Sequence, residues 1–193
     1  MVDVYYFGER YCTGVVTFIK TSSRYTDKNL LESLGAKEIV YLATEKDILS
    51  EVYPKVCLLD LDDRVCILDE CNCLYANQDD RLEALIKQAS TDFGEVMMIG
   101  GFWEAGNEFL FYYYNDGELI RQIDHGTDMS GYPSKVYIAK YGKGKDLKEI
   151  PLLLDYKKLP EFMNTVITNF GIDLPKDISH GRFYQIIQKE NSY

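Results

Sequence analysis

The spacing of apolar residues along this chain changes several times, and each change marks an element. Val2 to Phe7 and Gly14 to Ile19 are β-branched and aromatic blocks that predict two strands joined by a glycine-bearing connection. Thr26 or Asp27 can cap a short helix that displays Leu30, Leu31 and Leu34 on one side, with Gly35 placed at its C-terminal end. Glu38 to Ala43 then predicts a strand, and Glu45 to Tyr53 a helix stopped by Pro54, because the residue before a proline avoids the helical region.

The stretch from Val56 to Asp69 holds two apolar runs around the acidic turn Asp62-Asp63-Arg64, which is the pattern of a hairpin. A helix follows, capped at Asn77 or Asp79, with Leu82, Leu85, Ile86 and Ala89 at helical spacing through Ser90. From Glu95 to Asp124 the period becomes that of an antiparallel meander: Val96 to Trp103, Glu108 to Tyr114 and Glu118 to Ile123, with Asn115-Asp116-Gly117 as the second turn. His125 to Pro133 predicts an exposed loop, Lys135 to Tyr141 a strand, Leu159 to Phe170 an amphipathic helix, and Phe183 to Gln188 a late strand or helix. Strands in hairpins, with helices between groups of strands, predict an α+β fold whose largely antiparallel sheet carries three to four helices. The expected organisation is a single domain over residues 1–193, with a weak subdivision near 90–95.

Charge alters this picture more than composition does. The net charge is -10, and residues 60–128 hold 4 bases against 16 acids, whereas residues 129–193 hold 10 against 7. A middle third this acidic repels phosphate backbones and attracts cationic partners, which excludes nucleic acid as the expected ligand. The opening residues lack a basic n-region and no apolar run approaches membrane-spanning length, so neither a secretion signal nor a membrane partner is expected. Five cysteines without such a signal fit reduced thiols and a cytoplasmic location.

Catalytic chemistry is sparsely represented. Asp60-Leu61-Asp62 after an apolar run resembles the nucleophile segment of haloacid-dehalogenase-type phosphatases, which implies magnesium-dependent phosphoryl transfer with Asp60 attacking and Asp62 as acid and base. Arg64 departs from that pattern, since the family places Thr or Val there. Cys66, Cys71 and Cys73 lack the paired spacing and the neighbouring histidine that zinc sites use. His125, between Asp124 and Gly126, has no nucleophile beside it, and Gly142-Lys143-Gly144-Lys145 lacks the spacing of a phosphate-binding loop. No catalytic residue, metal ligand or cofactor is therefore expected.

The positive signal is acid interleaved with aromatic rings in the meander. Alternation places Phe109, Phe111 and Tyr113 on one face of a strand and Leu110, Tyr112 and Tyr114 on the other. If one face is core, the other presents tyrosines beside carboxylates, which suits a basic protein partner. Trp103, Tyr112, Tyr114 and Asp116 are the expected contacts, with Asp62, Asp63, Asp79 and Asp80 steering. In size, charge and cysteine usage the chain is similar to small acidic bacterial immunity proteins, a likeness of composition that carries no residue across. The expected function is thus a non-catalytic binding protein, in one form an inhibitor of a toxin. The alternatives are the Asp60 and Asp62 enzyme and a structural subunit that buries its tyrosine face in a homodimer.

Overall fold

A computed structural model describes residues 13–21, 25–43, 55–69, 74, 81–102, 108–128, 135–142, 168, 171–172 and 178–187. Nine strands form one sheet: β1 (Thr13–Thr21), β2 (Glu38–Tyr41), β3 (Lys55–Asp60), β4 (Val65–Asp69), β5 (Gly94–Phe102), β6 (Glu108–Asn115), β7 (Glu118–Asp128), β8 (Lys135–Gly142) and β9 (Arg182–Ile187). They lie in the order β2-β9-β3-β4-β1-β5-β6-β7-β8, and every neighbouring pair is antiparallel. Among the described residues there are two helices, α1 (Asp27–Ser33) and α2 (Leu82–Phe93), instead of three to four. The helices expected at Glu45 to Tyr53 and Leu159 to Phe170 lie outside the described residues, Thr168 excepted, as does the strand expected at Val2 to Phe7.

Local chemistry explains where each helix sits. Thr26 caps α1 through a reciprocal box: its hydroxyl accepts from the Asn29 backbone N–H, and the Asn29 side chain accepts from the Thr26 backbone. Leu30, Leu31 and Leu34 are fully buried on the sheet. Helix α2 presents Leu82, Ile86, Ala89 and Phe93 to the same side of the sheet. Its first turn has no side-chain cap at Arg81, and the expected caps Asn77 and Asp79 lie outside the described residues.

These helical residues share a core with Val15, Ile19, Leu58, Ile67, Val96 and Met98 from the central strands. The alternate positions of those strands point the other way, and Val16, Phe18, Cys66, Met97, Ile99 and Phe111 are buried as well. The central sheet is therefore dry on both sides.

The turn at the end of β6 is tied to α2. Asp116 and Gly117 adopt φ of 50° and 78°, the left-handed pair that a two-residue hairpin requires. The Ser90 hydroxyl donates to the Gly94 carbonyl at 2.6 Å and accepts from the Gly117 N–H at 3.1 Å, so one buried hydroxyl joins helix, strand and turn. The expected loop from His125 is corrected in part. β7 runs on to Asp128, with His125 opposite Phe109 on one side and Ile138 on the other, because β8 supplies a partner that local sequence does not reveal.

Candidate functional site

The tyrosines of β6 do not form an outward wall. Tyr112 and Tyr114 are only 8% and 2% exposed and belong to the core beneath α2, where the Tyr114 hydroxyl donates to Glu83 at 2.7 Å. Burial, followed by that bond to a carboxylate, pushes the Tyr114 hydroxyl well above the usual tyrosine range. On the opposite face Phe111 is buried and Tyr113 half-buried, with the Tyr113 hydroxyl donating to Glu95 at 3.1 Å. Desolvation together with Glu95 pushes Tyr113 up to about 12. Both tyrosines hold their protons at neutral pH and act as donors that anchor Glu83 and Glu95.

The expected steering acids differ among themselves. Asp62 and Asp116 are exposed at their turns. Asp63 is exposed too, but Lys20 lies 3.1 Å from it and Arg64 forks onto it at 2.8 and 3.0 Å, so its charge is largely balanced on the spot. Those bonds, Arg64 first and Lys20 second, hold its carboxyl well below the ordinary range. Arg64 also reaches Glu95 at 3.3 Å, which links β1, the hairpin turn and β5 in one chain of alternating charge, and the neutral Tyr113 of β6 donates to its last member. Trp103, Asp79 and Asp80 lie outside the described residues.

A second tyrosine and carboxylate cluster stands at the other end of the sheet. Arg182, at the start of β9, places its guanidinium between two aspartates. Its Nε and Nη2 donate to Asp27 at 2.5 and 3.1 Å, and its Nη1 and Nη2 donate to Asp60 at 2.6 and 2.9 Å. The Tyr184 hydroxyl donates to Asp27 at 2.5 Å and the Tyr25 hydroxyl to Asp60 at 3.1 Å. Pairing of β2 with β9 sets Tyr41 directly opposite Tyr184, with ring centroids 5.5 Å apart and planes tilted by 55°. The Arg182 fork is the main cause holding the Asp60 carboxyl below its ordinary value, with the Tyr25 bond adding to it.

This geometry bears on the magnesium reading. Both oxygens of Asp60 accept from Arg182, and one also from Tyr25, so a cation shared with Asp62 would have to displace that fork. No group of three or more potential ligands is gathered among the described residues. Cys57 and Cys66 are buried strand thiols; desolvation pushes Cys57 up to about 12 and Cys66 well above its usual value, which makes both poor nucleophiles and poor ligands. Cys71 and Cys73 lie outside the described residues.

Sequence reasoning missed Arg182, Tyr25, Tyr41 and Tyr184 altogether. It noticed Asp27 only as a cap and Asp60 only as a nucleophile. Their chemistry appears only when β9 inserts between β2 and β3, and no local spacing announces that. Compared with family models, with characterised proteins and with solved structures, the chain matches none.

Proposed function

We propose that this chain is a non-catalytic cytoplasmic binding protein for a basic protein partner. The observation that carries the reading is the charge distribution, 16 acids against 4 bases over residues 60–128 within a net charge of -10. Exposed Asp62 and Asp116 are contact or steering groups in this reading. Tyr112 and Tyr114 take no part in it, because a ring buried under α2 cannot meet a partner. Negative potential of this size raises the encounter rate with a cationic surface and suppresses encounter with nucleic acid. An inhibitor that covers a cationic active site, as in a toxin and its immunity protein, is one form of such binding.

Affinity capture from native lysate at low salt, in parallel with an Asp62→Asn, Asp116→Asn double variant, tests this. The wild-type chain should retain strongly basic proteins that elute as salt is raised, and the variant should retain less of the same proteins. Capture of neutral or acidic proteins that resist salt would overturn it.

A further inference from the structure

We infer that the outer edge of β2 is a dimer interface, where β2 of a second copy of this chain adds antiparallel and extends the sheet. β2 stands last in the strand order, and among the described residues no strand pairs with its far side. The Leu42 N–H donates to the Phe183 carbonyl at 2.9 Å, in line with the register of β2 on β9. Alternation then turns the backbone of Glu38 and Val40 towards β9. It turns the N–H and C=O of Ile39 and Tyr41 outwards, as a row of donors and acceptors that another strand can meet. Folded proteins blunt such an edge with proline, a bulge or several charges, but β2 has an unbroken register, no proline and only Glu38 charged. It also carries Val40 at 40% and Tyr41 at 58% exposure, and the other exposed large apolar residue among those described is Leu119.

The residues of this edge complement their own copy. With a two-fold axis at Val40, Ile39 of each chain lies opposite Tyr41 of the other, so the outward N–H and C=O of both find partners within β2. An axis at Ile39 or at Tyr41 would instead pair one of them with Lys37 or Ala43, beyond the strand. The Val40 axis also brings the two valines together as a close non-hydrogen-bonded pair and sets a β-branched side chain against each Tyr41 ring, pairings that stabilise sheets. Glu38 falls opposite Leu42, so like charges do not face one another. Lys37 beside it is exposed too, which balances the edge locally although each chain carries a net charge of -10. Two such chains repel at longer range, and salt screens that repulsion. Dimerisation should therefore strengthen as salt is raised, whereas capture of a basic partner should weaken, so the two readings stand or fall separately.

Sedimentation equilibrium of the wild-type chain from about 10 μM to about 1 mM should show the mass rising from monomer towards dimer, and further at higher salt. Val40→Lys and Val40→Glu should each stay monomeric, because like charges would meet at the axis, and an equimolar mixture of the two should dimerise through the opposite pair. Amide exchange of the wild-type chain at both ends of the concentration range gives a readout that needs no variant. The Ile39 and Tyr41 amides should gain protection at high concentration, and those of β8, at the opposite end of the sheet, should not. A wild-type chain that remains monomeric up to about 1 mM would overturn the inference and leave the edge to a strand of a different protein. A dimer that survives Val40→Lys, or a mixture of the two variants that stays monomeric, would overturn it as well.

Discussion

Asp60 illustrates how one side chain changes meaning with its neighbours. On an apolar strand before Leu61 and Asp62 it reads as a nucleophile, yet beside Arg182 and Tyr25 it is a fixed anion at the end of β3. Its carboxyl is held below the ordinary value of 3.8, chiefly by Arg182. A group whose folded value is depressed adds stability that is complete above the unfolded value and is lost as pH falls through the folded one. Asp60→Asn should therefore lower the urea midpoint at about pH 7 and 5, and the difference from wild type should shrink as pH falls from 3.8 through the lower folded value. Because Asp60 is more than half exposed, the neutral-pH loss should be only about 1 kcal/mol. Asp63 is depressed by Arg64 and Lys20, so the variant keeps part of the acid sensitivity. An Asp60→Asn curve parallel to the wild type from neutral to acid pH would show that the Arg182 fork contributes nothing through this charge.

Elements defined by neighbouring residues are legible in the sequence itself. The hairpin of β3 and β4 and the turn at Asn115-Asp116-Gly117 follow from alternation and from turn residues that tolerate positive φ. What the sequence left open was which strands pair across long separations and which faces are covered. Asp27 and Arg182 stand 155 residues apart, and a period of two divides Tyr112 from Tyr113 without saying that both sides of β6 are enclosed. His125 was misread because Gly126 and Pro133 suggest a loop, while β8 offers a partner only in three dimensions. The joint between α2 and the β6–β7 turn gives a test at this scale. Gly117 has φ of 78°, and a Cβ there would lie 2.6 Å from the Thr91 hydroxyl. Gly117→Ala should destabilise by about 1–2 kcal/mol from the left-handed backbone alone, plus the clash. Adding Thr91→Ala should recover only the clash. Thermal unfolding of the single and double variants measures this, and full recovery in the double variant would show that the backbone conformation itself costs nothing.

At the scale of the whole molecule, stability should be unequal across the sheet. β1 lies at the centre with β4 on one side and a nine-residue ladder to β5 on the other, and both of its faces are dry. β2 stands at one end of the strand order with a four-residue ladder to β9, and β9 in turn holds β3 through four paired residues. The Arg182 fork supplies a second tie there, since it binds β9 to both α1 and β3. Segments with short ladders and exposed hydrogen bonds open locally at lower free energy than the core does. Arg182→Ala leaves Asp27 half-buried without its guanidinium, which should cost about 1–3 kcal/mol at that end. Hydrogen exchange followed by mass spectrometry should then show β2 and β9 exchanging faster in the variant while β1, β5 and β6 keep their protection. Equal acceleration in all five strands would mean that the sheet opens only as one unit, and that the cluster at its end contributes to global stability instead of holding that end closed.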